Sequence, residues 1–206
     1  MKLATFSPEA DATPRLGVVV DDGIVDLSQC GSFPADMTAM LEQGIDPLAI
    51  SAAIEGLDPI PLAAVALHAP VMHPGKILAI GLNYGDHIEE TGSKKPEHQV
   101  WFNKQHNCAN GPFDGINLPV ASNKLDYEAE LCLVIGKRCK HVPKERAHEV
   151  IAGYFCGNDV SVRDWQLRAP TFQIGKSFDS HGPMGPYLVT PDEVGDPHNL
   201  DIRCLV

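Results

Sequence analysis

The stretch from Lys124 to Gly136, KLDYEAELCLVIG, constrains the fold more than any other part of the sequence. Its second half is apolar and ends at a glycine, the pattern of a buried β-strand. Acidic side chains stand at every second position before that run, at Asp126, Glu128 and Glu130. Because residues two apart in a strand point to the same face, the three carboxylates are expected to form one negative row. Such a row repels itself and is costly to desolvate, so the fold must place positive charge beside it.

The composition is that of a globular protein and argues against several kinds of partner. The 206 residues suffice for one large domain, or for a small domain and a larger one. The formal net charge of −11, with histidines counted as neutral, argues against nucleic acid or an anionic membrane as the main partner. The six cysteines form no Cys-x-x-Cys pair, and no segment has the apolar length of a signal peptide or a membrane span. We therefore predict a cytoplasmic protein.

The first third of the sequence is predicted to form a small domain, residues 1–70. In RLGVVVDDGIVDLS two apolar runs are joined by Asp22-Gly23, a hairpin signal because glycine accepts positive φ. From residue 36 to residue 57 apolar side chains recur at three- and four-residue spacings, which indicates two short helices, each ending at a glycine. Four prolines between positions 59 and 74 then mark a linker, so we place a domain boundary near residue 70.

Residues 71–206 are predicted to form the larger domain, in which strands surround one long polar segment. KILAIGLNY is typical of a buried strand, and strands return in DYEAELCLVIG, VIAGYFCGNDV and GPYLVT. The intervening residues 85–115 are rich in Gly, Asn and His, which is typical of a functional loop or lid. SVRDWQLR predicts a helical turn in which Ser161 and Asp164 have capping-box spacing. The final residues, NLDIRCLV, alternate as a strand does.

Glu128 and Glu130 are candidate ligands of one hard cation, because side chains two apart on a strand face the same way, with roughly 6–7 Å between their Cα atoms. A solvated strand face explains an isolated acid-x-acid pattern as well. Metal binding gains support because a second strand, GYFCGNDV, also ends in an acid, Asp159. An all-oxygen ligand set of this kind suits Mg²⁺, Mn²⁺ or Ca²⁺ better than zinc.

His87 and Glu90 in NYGDHIEE are three residues apart, hence neighbours if the segment is helical. A carboxylate that accepts a hydrogen bond from one imidazole nitrogen leaves the other basic enough to take a proton from water. Two exposed polar side chains on a loop are the alternative interpretation of the same pattern.

Lys176 in FQIGKSFDSHGPMGP follows a glycine that is expected to let the backbone approach a ligand. Near a dication, its ammonium could hold a carboxylate or enolate oxygen of a substrate. An ordinary surface lysine explains the single residue equally well. Arg163, Asp164 and Gln166 on the preceding turn are consistent with pocket residues or with structural ion pairs and caps.

Four long motifs follow one another in the order GLNYGDHIEE, DYEAELCLVIG, GYFCGNDVSVRDWQ and GKSFDSHGPMGP. Through them, roughly residues 74–206 closely resemble the fumarylacetoacetate hydrolase family, also called the acylpyruvase or fumarylpyruvate hydrolase group. The N-terminal region is similar to the small extra domain of many bacterial-type members. The resemblance implies a mixed α+β fold, predominantly β, with a mixed β-roll core behind a small N-terminal α+β domain. It also implies a homodimer.

The resemblance implies a role for each candidate metal ligand. Glu128 and Glu130 match the Glu-x-Glu pair of the family, and Asp159 matches its third carboxylate. The implied ion is Mg²⁺ or Mn²⁺, with Ca²⁺ as a substitute in a crystal.

The remaining candidates match positions around the substrate of the family. His87 matches the histidine that activates water, and Glu90 matches its orienting partner. Lys176 matches the lysine of the Gly-Lys-Ser-Phe motif, and Gln166 matches a polar residue of the pocket.

The implied activity is hydrolysis of a carbon–carbon bond in a 2,4-dioxo acid, within 2-oxo acid catabolism or aromatic degradation. The same residues could serve an isomerase or decarboxylase of the 2-hydroxyhepta-2,4-diene-1,7-dioate type, or a ureidoglycolate lyase. Family members continue past the equivalent of Val206, so we expect this chain to be truncated at its C-terminus. The alternative of another class is therefore a catalytically impaired paralogue that acts as a binding or assembly partner.

Overall fold

The computed structural model describes residues 1–9 and 11–205. In these two ranges the chain forms thirteen strands, six α-helices and four short 3₁₀ turns. The strands are β1 (Lys2–Pro8), β2 (Arg15–Val20), β3 (Gly23–Asp26), β4 (Ile60–Pro61), β5 (Val65–Leu67), β6 (Ile77–Gly81), β7 (Val100–Lys104), β8 (Ala109–Asn110), β9 (Leu125–Asp126), β10 (Ala129–Ile135), β11 (Ile151–Asn158), β12 (Ser161–Val162) and β13 (Gly182–Val189). The helices are α1 (Met37–Gln43), α2 (Pro47–Ala53), α3 (Gly85–Glu90), α4 (Arg163–Gln166), α5 (Gln173–Lys176) and α6 (Pro191–Val194). None of the described helices is long and apolar enough to cross a bilayer.

One large sheet organises the molecule and joins the two ends of the sequence. Its strands lie in the order β10-β11-β13-β1-β2-β3-β4, with β5 also paired to β1 and β8 to β13. β1 runs antiparallel to β13, with Lys2 opposite Val189, so the predicted N-terminal domain and the predicted core share this sheet. The mixed α+β class with a predominance of strands is confirmed. The boundary near residue 70 stays a prediction.

The N-terminal elements form close to where their sequence signals predict them, except that α2 ends at Ala53, before the predicted Gly56. β2 and β3 make an antiparallel hairpin in which Val20 lies opposite Gly23. Asp36 and Asp46 precede the first residues of α1 and α2, and their side chains accept hydrogen bonds from backbone N–H groups in the first turn of each helix. These helices and the sheet share an apolar core, whose buried side chains include Leu3, Leu16, Val18, Leu27, Met37, Met40, Ile50 and Leu188.

The polar segment 85–115 is more ordered than the sequence suggested. It contains α3 and also β7, which pairs antiparallel with β6 so that Ile77 lies opposite Lys104. Within β7, Phe102 and Lys104 occupy alternate positions and are both buried. The prediction of one long loop was therefore wrong over this strand, and the difference matters because β7 carries a buried cation.

The strand predicted through the acidic row is divided in two. β9 ends at Asp126 and pairs with β12, whereas β10 begins at Ala129 and pairs with β11. Tyr127 and Glu128 lie between the two strands. The expectation of one continuous row was wrong in this respect, because the break gives Asp126 a different strand partner from Glu130.

The end of the described chain also differs from its prediction. Residues 199–205 have no strand assignment, although their polar and apolar residues alternate, and Val206 lies outside the described residues. Alternation alone does not make a strand, since a strand needs a partner for its backbone hydrogen bonds.

Candidate metal centre

Three carboxylates meet at one end of the β10–β11 pair. Glu128, Glu130 and Asp159 each offer an oxygen, and these oxygens all lie within 4.8 Å of one another. Backbone contacts set this arrangement: the N–H of Asp159 donates to the carbonyl of Glu128 at 2.9 Å. The N–H of Glu128 donates to the side-chain oxygen of Asn158 at 3.0 Å. The three acids predicted to act together are thus brought together, one of them from a strand about 30 residues later.

Two buried lysines neutralise Asp159 and part of Glu128. Lys176 Nζ lies 2.8 Å from Glu128 Oε2 and 2.8 Å from Asp159 Oδ2. Lys104 Nζ lies 2.7 Å from Asp159 Oδ1. The lysine side chains are only 2% and 4% exposed, respectively, so both charges depend on these partners. Lys176 is therefore a member of the acidic cluster and is not an ordinary surface lysine.

Arg163, at the start of α4, neutralises the acids on the other side of the cluster. Its Nε donates to Asp126 Oδ2 at 2.8 Å, and its Nη1 donates to Glu128 Oε1 at 2.5 Å and to Gln166 Oε1 at 3.0 Å. Burial lowers the pKa of Arg163, but its bonds to Asp126 and Glu128 outweigh burial and raise the pKa above its ordinary value. Asp126, which had no predicted role, is thus the partner of an arginine.

Glu130 is the carboxylate that lacks a cation. Among the described residues it forms no ion pair, and its neighbour is the hydroxyl of Tyr84, which also accepts the N–H of Leu131 at 3.0 Å. Burial, together with the charges of Asp159 and Glu128, raises the pKa of Glu130 to about 7. Burial likewise raises the pKa of Tyr84 to about 12. A further positive charge is therefore best accommodated beside Glu130.

The donor set fits a hard dication. All three converging side chains offer carboxylate oxygens, the ligands that Mg²⁺ and Mn²⁺ accept. When Glu130 is ionised, it leaves one negative charge that is not cancelled, because the two lysines and the arginine pair with Asp126, Glu128 and Asp159. The residues present therefore match the predicted metal, and Mg²⁺ and Mn²⁺ fit them equally.

His87 and Glu90 lie on α3, which is joined to the acidic cluster through Tyr84. Tyr84 precedes the first residue of α3 and contacts the β10 strand through the N–H of Leu131. His87 lies three residues farther along, and both it and Glu90 are exposed. Among the described hydrogen bonds none joins His87 to Glu90, so their action as a pair stays a prediction.

Two local interpretations of the sequence were wrong. The backbone at Gly175 faces Gln166 and not a ligand: a Cβ at this glycine would lie 2.2 Å from the Gln166 nitrogen. Ser161 does not cap α4, which has no side-chain cap. Its hydroxyl instead donates to the carbonyl of Asp159 at 2.9 Å and to Glu128 at 3.4 Å.

The site also contains residues that the sequence interpretation missed, above all Lys104 and Tyr84. The alternation in VWFNK was a usable signal, because it places Val100, Phe102 and Lys104 on one face of a strand. A lysine on the apolar face of a strand calls for a buried acid as its partner.

The sequence is similar to known proteins over its whole length. Residues 76–206 match the family described as fumarylacetoacetate (FAA) hydrolase C-terminal. Over the whole chain, the sequence is 40% identical to the mitochondrial oxaloacetate tautomerase fahd2 of Xenopus laevis, 67% of whose length is covered.

Two solved structures are similar over nearly the whole chain. The maleylpyruvate hydrolase of Sphingobium sp. SYK-6, in complex with manganese(II) and pyruvate, superposes with a TM-score of 0.76 at 35% identity. That match covers 96% of this chain and 70% of the other. A probable 2-hydroxyhepta-2,4-diene-1,7-dioate isomerase of Mycobacterium abscessus superposes with a TM-score of 0.71 at 28% identity. That match covers 98% of this chain and 67% of the other.

Proposed function

Because the chain belongs to the fumarylacetoacetate hydrolase family, we propose that it is a divalent-metal-dependent hydrolase of a 2,4-dioxo acid of the acylpyruvate or fumarylpyruvate type. The observation that carries the proposal is the cluster of Glu128, Glu130 and Asp159, with Lys176 bonded to two of the three. The manganese and pyruvate of the maleylpyruvate hydrolase complex support it, since pyruvate is the fragment released when an acylpyruvate is hydrolysed.

The three carboxylates would hold Mg²⁺ or Mn²⁺. When bound, the dication supplies Lewis-acid polarisation of the substrate carboxylate and its 2-oxo oxygen. Glu130 must give up its proton to act as a ligand, and its pKa of about 7 means that a proton and the ion compete for it near neutrality.

The remaining steps of the proposed reaction are assigned to side chains of this protein. His87, oriented by Glu90, takes a proton from a water molecule that attacks the distal carbonyl. The carbon–carbon bond then breaks, and its electron pair moves to the pyruvate enolate, which takes up a proton to give pyruvate. The ammonium of Lys176 faces the negative charge that develops on the enolate oxygen. Gln166, whose Oε1 accepts a hydrogen bond from Arg163 Nη1 at 3.0 Å, is assigned to contact the substrate.

A second candidate uses the same enolate without the attack of water. The relative from Xenopus laevis is named an oxaloacetate tautomerase, and one similar structure is a probable isomerase. Keto–enol exchange needs the carboxylate cluster and Lys176, and it does not need a base that activates water. Decarboxylation of 2-oxo dioates also proceeds through an enolate without the attack of water, but it breaks a carbon–carbon bond.

One experiment separates the two reactions. The purified protein is given acylpyruvates and, separately, enol-oxaloacetate, each with Mg²⁺, with Mn²⁺ and with a chelator. Hydrolysis consumes the dioxo chromophore and releases pyruvate, whereas tautomerisation changes only the enol absorbance and conserves carbon–carbon bonds. Metal-dependent release of pyruvate from an acylpyruvate supports the hydrolase proposal. Enol exchange with no cleavage overturns it in favour of the tautomerase.

Two further properties are proposals of the same kind. We expect a homodimer, which native mass measurement with and without Mn²⁺ would detect. We also retain the predicted cytoplasmic location, although the Xenopus relative is named as mitochondrial. Fractionation of cells that express the natural gene would decide between the two locations.

A further inference from the structure

We propose that Lys104 is a positioning residue that fixes the carboxylate of Asp159 and the segment carrying Lys176 relative to each other. Its ammonium donates to Asp159 Oδ1 at 2.7 Å, to the carbonyl of Val160 at 3.3 Å and to the carbonyl of Lys176. The inference rests on the proposed function only for the chemical role of Lys176.

All the hydrogen-bonding capacity of Lys104 is used inside the protein. An ammonium has three donors, and Lys104 has three acceptors, two of which are backbone carbonyls. With only 4% of its side chain exposed, little solvent remains to compensate for a lost partner. A lysine so placed restricts the position of each group that it contacts.

The contacts form a closed ring between the two lysines. One carboxylate oxygen of Asp159 accepts a hydrogen bond from Lys104, and the other accepts one from Lys176. Lys104 also donates a hydrogen bond to the carbonyl of Lys176. Lys176 is therefore held both at its ammonium and at its backbone. A lysine that served only to neutralise Asp159 would not need the contact with the Lys176 carbonyl.

The helix that carries Lys176 depends on such contacts because it is very short. α5 spans four residues, one turn, and isolated helices of this length are unstable in water. Strand β7 contacts it at both ends. Phe102 packs edge-on against Phe172, the residue before α5, with ring centroids 6.0 Å apart, and Lys104 bonds the last carbonyl of the helix. The Phe102 ring also lies 5.1 Å from Lys176 Nζ.

It follows that Lys104 determines where the Lys176 ammonium sits without touching the substrate. Loss of the Lys104 ammonium should free the end of α5 and expose Lys176. The effect should be specific to Lys176, because among the described hydrogen bonds Lys104 contacts no other lysine.

The test measures how fast each lysine is acetylated by acetic anhydride, residue by residue, by mass spectrometry. In folded Lys104→Met, which has a side chain of similar length and no charge, we expect Lys176 to react at least tenfold faster than in the wild type. Lys144→Met, a substitution at an exposed residue, should leave the rate at Lys176 unchanged. A rate at Lys176 within twofold of the wild type in the folded variant overturns the proposal. Lys104→Gln, judged by the same limits, replaces Lys104→Met if the latter does not fold.

A second arm needs no variant. The wild-type protein is labelled at rising urea concentrations below its unfolding transition. Because each lysine holds the other through Asp159, Lys104 and Lys176 should lose protection together, with rates within twofold. The proposal is overturned if Lys176 is acetylated at least tenfold faster than Lys104 at the same urea concentration. Neither arm uses a substrate, so failure here is distinct from failure of the proposed reaction.

A third arm connects the inference to activity once a substrate is established. The values of kcat for Lys104→Met, Lys176→Met and the double variant form a cycle. With Mn²⁺ saturating, so that the ion holds Asp159, kcat of the double variant should fall no further than that of Lys176→Met alone, within about threefold, if Lys104 acts through Lys176. Multiplicative losses in kcat would show independent roles and contradict the proposal.

Discussion

Lys176 Nζ lies 2.8 Å from Asp159 Oδ2, so a buried ammonium sits at the side of the acidic cluster where substrate chemistry is proposed. The same ammonium bonds Glu128 at 2.8 Å, which makes it the shared counter-charge of two proposed metal ligands. Four predictions follow from this arrangement and from the groups around it.

Removal of the Lys176 charge should destabilise the metal-free protein. Lys176→Met leaves Glu128 and Asp159 without a shared cation, and breaking a buried ion pair costs about 3–5 kcal/mol. Urea unfolding should show this loss in the presence of a chelator and a smaller loss with excess Mn²⁺, because the ion replaces the missing charge. Lys144→Met serves as the control. Equal losses with and without Mn²⁺ would contradict a metal site at this cluster.

Glu130 should lower the stability of the metal-free protein as the pH rises from about 4.5 to about 7. The folded state raises the pKa of Glu130 from 4.5 to about 7, mainly through burial, so it binds more protons than the unfolded state across this window. Stability therefore falls with rising pH, by at most about 3 kcal/mol from this group. Thermal unfolding with a chelator present measures the slope, and Glu130→Gln should flatten it. An unchanged slope in that variant would show that another group is responsible.

His87→Ala should separate the two candidate reactions. A base that activates water contributes about 10²- to 10⁴-fold, so hydrolysis of an acylpyruvate should fall by that factor. Mn²⁺ affinity, measured by calorimetry, should stay the same, because His87 is not among the converging ligands. His98→Ala, at another exposed histidine of the same segment, is the matched control. Full hydrolytic activity in His87→Ala would exclude His87 as the base.

Gly175→Ala should displace the turn that carries Lys176. The added Cβ would lie 2.2 Å from the nitrogen and 2.4 Å from the Cα of Gln166, closer than real contacts allow. We expect a stability loss of about 1–3 kcal/mol. Gly115→Ala, where a Cβ meets nothing within 4 Å, provides the comparison by the same unfolding measurement. A Tm of Gly175→Ala equal to that of Gly115→Ala would mean that α4 and α5 adjust without cost.

The proposed ligands could be found from the sequence because their signals are local. Glu128 and Glu130 are two residues apart, and Asp159 ends a strand at a Gly-Asn-Asp turn. The hairpin at Asp22-Gly23 and two helices between residues 36 and 57 were also predicted, because turn residues and the spacing of apolar side chains act within a few positions.

The counter-charges of the cluster could not be assigned in this way. Lys104 lies 55 residues from Asp159 in sequence and 72 from the Lys176 carbonyl that it contacts. No local pattern joins such positions, and the polar composition around β7 concealed the strand that buries Lys104. The question posed by the acidic row therefore has an answer that only the tertiary structure supplies: Arg163 pairs with Asp126, the lysines pair with Glu128 and Asp159, and Glu130 stays without a cation.

The sequence by itself thus indicated the three acids that converge, the family and the mostly β fold. The tertiary structure decided which charges meet and which remain unpaired. The physical reason is that side-chain spacing along a strand or helix is fixed by backbone geometry, whereas the pairing of buried charges depends on which distant strands come into contact.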